Sequence, residues 1–188
     1  NKFSAIEYKR PDFERVSESF NQLLVDFDNA KSAQEQSLVF NKINTLRNEF
    51  QTYASIASVR NSIDTTNAYY ELEKQFYDDH EPLFRDLNIR LYRALGNTPF
   101  KADLQQKFGN QIFNIAEVSL KSFDTSVIED LKEENRLGTE YTKIIATATV
   151  EFNGERMNFS QLEPFEQGQD RAVREKAVRA KYAVLEKS

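Results

Sequence analysis

IIATATVEFNGERMNFSQLEPF, residues 144–165, decides the architecture, because a chain patterned elsewhere for helices changes period there. Val150 and Phe152 alternate with Thr149 and Glu151, Asn153-Gly154 follows at once, and Met157 and Phe159 alternate with Arg156 and Asn158. Two alternating runs joined by Asn-Gly predict a β-hairpin, since both turn residues must take positive φ. On either side the apolar period returns to three and four. Downstream, beyond Pro164-Phe165 and Gly168, Asp170 is expected to cap a final helix with Val173, Ala177, Ala180 and Val184 inward. Upstream, Asp124 or Ser126 should cap a helix whose inner residues are Val127, Ile128, Leu131, Leu137, Tyr141, Ile144 and Ile145. Gly138 weakens it.

Earlier in the chain the helical pattern is continuous. Tyr8-Lys-Arg-Pro11 reads as an extended entry, with proline in a first helical turn where its missing N–H costs nothing. Phe13, Val16, Phe20, Leu23, Leu24 and Phe27 then mark one buried face. Ser32 with Glu35 forms a candidate capping box. Val39, Ile43, Leu46, Phe50, Tyr53 and Ala57 step by four and three, a seam that predicts shallow antiparallel packing of a long helix. Asp64-Thr65-Thr66 is expected to open a third helix lined by Tyr69, Leu72, Phe76, Leu83, Leu87, Leu91 and Leu95. Pro82 should kink it and Gly96-Asn97 should stop it. A short helix over 100–108 ends at Gly109, and another over 111–123 turns Ile112, Ile115, Ala116, Ser119 and Leu120 inward.

The predicted fold class is therefore mainly α: long antiparallel helices, one β-hairpin near the C-terminal end and a final helix. The change of period divides it into a helical N-terminal lobe, 1–145, and a hairpin plus helix, 146–188. Only five glycines and four prolines agree with long uninterrupted elements. A net charge of −5 with mixed signs argues against a nucleic-acid protein, whose phosphate contacts need a basic surface. No cysteine is present, which removes disulfides, thiolate metal sites and cysteine nucleophiles, and suits a reducing cytoplasm, although a secreted bacterial protein can also lack cysteine. No apolar run approaches the roughly 20 residues of a membrane span.

No catalytic or metal-binding constellation is complete. Asp78, Asp79, His80 and Glu81 form an acidic group around the only histidine, but consecutive helical residues point about 100° apart and cannot converge on one ion. A solvated helix face beside Pro82 is the preferred reading. Arg171, Arg174, Lys176, Arg179, Lys181 and Lys187 make the last helix basic, which reads as a solvated face or one that pairs with another domain. Glu129, Asp130, Glu133 and Glu134 form an acidic patch able to attract a peptide amino terminus, and read more simply as helical surface. Met157, Phe159 and Gln161 could border a cleft; for Met157 and Phe159 core packing is the preferred assignment.

Several segments carry a family resemblance in order and spacing. Tyr8-Lys-Arg-Pro11-Asp12, Ile43-Asn-Thr-Leu-Arg47-Asn, Ser58-Val-Arg60-Asn and Ile63-Asp64-Thr65 come first. Phe108-Gly109, Leu120-Lys121 and Ile128-Glu-Asp-Leu131-Lys-Glu-Glu-Asn135 follow. Val150-Glu-Phe152-Asn-Gly154-Glu, Ser160-Gln161-Leu162, Pro164-Phe165 and Asp170-Arg171 complete the series. Together they resemble the N-terminal part of the oligoendopeptidase F family, zinc metallopeptidases related to thimet oligopeptidase. The resemblance implies a mainly helical cytoplasmic enzyme folded around a deep cleft that admits short peptides and excludes folded proteins. It also implies an H-E-x-x-H helix with a glutamate on a later helix as third zinc ligand.

His80 alone cannot supply that site, so the zinc motif is expected beyond Ser188. The chain is then a non-catalytic, substrate-gating lobe, with no catalytic, cofactor-binding or metal residue of its own. Its expected partners are the absent C-terminal catalytic domain and, in the intact enzyme, short peptides; zinc would be bound elsewhere in that protein. The competing expectation is a free-standing helical interaction module without enzymatic activity.

Overall fold

Asp12, not Pro11, begins the first helix. Its carboxylate accepts the Arg15 N–H at 3.2 Å, so the proline lies just outside α1 (Phe13–Asn29) and its rigid ring stiffens the approach instead. Ser32 caps α2 (Ala33–Ile63) by accepting the Glu35 N–H at 3.2 Å, while the Glu35 carboxylate accepts from the Lys31 N–H. Asp64 folds back on Thr66, and Asn67 is the residue that caps α3 (Ala68–Asn97). Then come α4 (Lys101–Phe108), closed by Gly109 at φ 81°, and α5 (Gln111–Ser122). A 3-10 turn (Thr125–Val127) leads into α6 (Ile128–Thr147). The computed structural model describes residues 6–186, and these fall into two units that divide between Asn135 and Arg136.

In the first unit α1, α2 and α3 pack pairwise, joined by short connections over 30–32 and 64–67 that force neighbours to run antiparallel. The core is aromatic. Phe50 stacks on Phe84 with centroids 4.1 Å apart, Phe20 meets Phe84 edge-on at 5.9 Å, and Phe40 meets Phe108 at 4.9 Å. Ile43, Phe50 and Ala57 of the predicted seam are buried, with Val39, Leu46 and Tyr53 packed against them. Gln36, 2% exposed, belongs to the same interior. Its amide donates to the Phe27 carbonyl at 2.9 Å and accepts from the Thr98 hydroxyl at 2.6 Å, tying the end of α1 to the segment after α3.

Helix phase departs from the sequence reading in three places. Tyr69 and Leu72 are 52% and 57% exposed, because the first turns of α3 bury Glu73 and Tyr77 instead. On α5 Ile115 is exposed, while Phe113 and Ala116 turn inward. No residue of α6 is buried, so Leu137, Tyr141 and Ile144 stand open rather than inward. In each case the apolar spacing fixes a helix but not which neighbour it meets.

The second unit carries the hairpin. β1 (Thr149–Phe152) pairs antiparallel with β2 (Glu155–Asn158), Val150 opposite Met157. Asn153 and Gly154 take φ of 53° and 83°, as the two-residue turn requires. The sequence reading gave no helix over 159–166, yet α7 (Phe159–Glu166) forms there, started by a capping box between Asn158 and Gln161 at 2.9 Å in both directions. Asp170 caps α8 (Arg171–Leu185) as expected. Val150, Phe152, Met157, Leu162 and Ala177 make the small core, with Val173, Ala180 and Val184 against it. Gly154→Ala, which forces a Cβ into left-handed backbone, is expected to destabilise this unit by about 1–2 kcal/mol in thermal unfolding. A cost near zero would show that the turn is not the one described.

Candidate functional site: a polar clamp and a helical groove

Two features of the first unit bring polar side chains together. The first is a clamp between the entry strand and α3. Arg10 donates to both carboxylate oxygens of Glu73, at 3.0 and 2.7 Å, and Tyr8 donates its hydroxyl to the same group. Arg60 donates to the Ile6 carbonyl at 2.7 Å and lies over the Tyr8 ring, whose edge meets Tyr53. Burial by itself would raise the Glu73 carboxyl, but the hydrogen bonds from Arg10 and Tyr8 and the arginine charge outweigh it and hold the group below its ordinary value. Burial first, then the bond to Glu73, pushes the Tyr8 hydroxyl far up, so it stays a donor. Tyr77, buried beside them, is pushed up to about 12, chiefly by burial. Its hydroxyl lies near Tyr8 but reaches no partner in hydrogen-bond geometry among the described residues.

The second feature is a groove of about 850 Å³ between α2, α3, α5 and the start of α6. Arg47, Gln51, Ser55 and Ser58 of α2 recur every three or four residues on one wall. Pro82, Arg85, Asn88 and Tyr92 of α3 supply another, with Leu131 and Asn135 from α6. Arg47 donates to Tyr92 at 3.2 Å and to Asn44 at 3.0 Å. Its Nε and the Asn88 Oδ1 are sealed from solvent without partners among the described residues, a cost in stability rather than a mark of ligand contact. Glu81 also lines the groove. Crowding by protein atoms raises its carboxyl, Lys74 opposing and Asp78 adding, although the side chain still reaches water.

Pro82 sits inside α3 without ending it. Having no N–H, it leaves the Asp78 carbonyl without the usual i+4 donor, and the Asn135 side-chain amide donates there at 3.2 Å. A residue of α6 thus completes the ladder of α3. Asn135→Ala is expected to cost about 1 kcal/mol, and less in a Pro82→Ala background, where residue 82 regains its own N–H. Equal costs in the two backgrounds would refute the coupling.

The other sequence candidates separate. Asp78 is buried and ion-paired with Lys74, and Asp79 faces solvent. His80 donates Nδ1–H to the Phe76 carbonyl at 2.6 Å and packs between the Phe76 and Phe13 rings. Among the described residues no three of His, Asp and Glu lie so as to hold a metal ion, and the residues present do not fit the zinc that the resemblance implies. On α8 Arg174 donates to the Gly168 and Gln169 carbonyls, Arg179 pairs with Glu175, and Lys181 pairs with Glu166. Lys187 lies outside the described residues. Of the acidic patch, Glu129 pairs with Lys132 at 2.9 Å. Met157 and Phe159 are each 9% exposed core residues, and Gln161 is spent in the capping box. The sequence reading missed the clamp entirely. The α3 repeat it followed runs through Tyr69 and Leu72, which are exposed, and passes over Glu73, which is buried.

Residues 3–123 match the model of the peptidase M3 N-terminal domain, and the chain belongs to that family. It superposes with TM-score 0.92 and 40% identity on an X-ray structure of a protein assigned as oligoendopeptidase F, covering 99% of this chain and 33% of that one. Values against PZ peptidase A solved with an inhibitor are 0.93, 40%, 99% and 33%. A protein from Bacillus anthracis assigned as oligoendopeptidase F gives 0.91, 40%, 98% and 34%. No curated protein matches. The chain spans about a third of the length of these structures. Among the described residues no helix is long and apolar enough to cross a membrane.

Proposed function

We propose that this chain is the non-catalytic N-terminal lobe of a zinc-dependent oligopeptidase of the cytoplasm, and that it restricts access of short peptides to a catalytic centre carried by the rest of the polypeptide. The observation that supports this most is 40% identity over 99% of the chain to structures of which it makes up only a third. In this reading no residue of the chain is catalytic and none binds zinc or another cofactor; its part is to shape and wall a cleft. The groove suits that task. Its walls mix polar side chains such as Gln51 with apolar surface, and Arg47 and Arg85 set two positive charges against Glu81. The free-standing interaction module draws support from no separate observation.

The test is hydrolysis by the protein translated from the full reading frame, using peptides of graded length and a folded protein as substrates. Short peptides are expected to be cut, a metal chelator to abolish cutting, and the folded protein to survive. Absence of any metal-dependent hydrolysis, or a reading frame that closes near Ser188, would overturn the proposal.

A further inference from the structure

We infer that Leu137, Tyr141 and Ile144 form a seat on α6 for the polypeptide that makes up the other two thirds of the matched structures; this rests on the function proposed above. The three residues step by four and three, so they share one side of the helix. They are 49%, 64% and 38% exposed, and no residue of α6 is buried. Asn135, on a different side of the same helix, makes the bond to the Asp78 carbonyl, so the stripe is not the face that this bond occupies.

The stretch of α6 that carries the stripe buries no residue, and a helix of this composition does not stand well without a packed face. Helices gain most of their stability in proteins from packing of an apolar face. Gly138 in the interior of α6 costs about 1 kcal/mol against alanine, and the exposed Arg136–Glu140 pair returns only a few tenths. The stripe therefore has to be covered.

What covers it follows from size and connectivity. Three side chains fall far short of the roughly 800 Å² per partner that a separate protein or a second copy needs for a specific interface. A segment of the same chain escapes that threshold, because its contact is intramolecular and needs no association of separate molecules. The matched structures, 40% identical over this region, carry such polypeptide to about three times this length.

To test this, Tyr141 is replaced by the photo-cross-linking residue benzoylphenylalanine in the protein from the full reading frame, irradiated, and the linked peptides are mapped by mass spectrometry. Cross-links to residues beyond 188 are expected. Cross-links confined to residues 6–135, links between two copies, or none at all would overturn the seat. Hydrolysis by the unmodified protein reports separately on the peptidase reading, so active enzyme without the expected cross-link sinks only this inference. A reading frame that closes near Ser188 would sink both.

Discussion

Phe50→Ala is expected to lower the unfolding free energy of the first unit by about 3–5 kcal/mol, the range for deleting a large aromatic side chain from a core that cannot collapse around the void. Phe50 is 2% exposed and has a ring on three sides: Phe84 stacked at 4.1 Å, Tyr77 edge-on at 5.3 Å and Phe13 tilted at 5.9 Å. Those rings belong to α1 and α3 while Phe50 belongs to α2, so one truncation loosens the junction of all three helices. Leu72→Ala supplies the contrast. The sequence pattern turns Leu72 inward, but it is 57% exposed, and its loss should stay within about 0.5 kcal/mol. Denaturant titration of both variants decides the matter. If Leu72→Ala proved the costlier of the two, the phase of α3 would be wrong.

Glu73→Gln should produce the next largest loss, about 2–3 kcal/mol near neutral pH, because it removes the charge that receives Arg10 and Tyr8. The partly exposed arginine, 44% open at its side chain, keeps the figure below that of a fully buried pair. The pH dependence has a definite sign. The folded-state pKa of Glu73 lies below its ordinary value of 4.5, so its contribution is complete above that value and is lost as pH falls through the folded pKa. The stability gap between the native sequence and the glutamine variant should therefore be constant from neutrality down to about pH 5 and shrink in more acidic solution. Asp64, Glu117 and Asp124 are also held low, by bonds to Thr66, Lys121 and Ser126, but they are present in both proteins and cancel in the difference. Curves that stay parallel down to pH 3 would mean that the Glu73 charge does not stabilise the fold.

The clamp also explains why the entry segment, which forms no helix or sheet, holds a fixed course across α2 and α3. Arg10 and Glu73 are 63 residues apart and Tyr8 and Glu73 65 apart, so closing the contact constrains a long loop. Replacing Arg10 by lysine would keep the charge but forfeit the two-pronged geometry, so it is not a conservative change.

Much of the architecture could be read from local sequence, because the physics that sets it is local. Asn153-Gly154 must turn tightly wherever it stands between alternating strands, since few other residues accept positive φ twice in succession. Ser32 and Asp170 cap helices through bonds that reach only two or three residues. The α2 seam follows from its own repeat. Where the local reading missed a whole element, the competing signal was also local: α7 was masked by Pro164, although the Asn158–Gln161 capping box was there to be seen.

Burial of polar side chains is a different matter. Gln36, Glu73, Asp78 and Asp86 are each less than a tenth exposed, and nothing in their residue type announces it. Glu73 is tolerable inside only because Arg10 and Tyr8 arrive from another segment, and Gln36 only because Thr98 and the Phe27 carbonyl do. Asn135 gained its role because a proline 53 positions earlier left a carbonyl in want of a donor. The sequence by itself determined where most helices and the hairpin turn lie, α7 being the exception, since caps, turns and apolar periods act within a few residues. Which side of each helix faces inward, which charges lie inside and where the groove opens were decided by the tertiary structure alone. Those outcomes depend on desolvation, and desolvation is set by neighbours that sequence distance does not reveal.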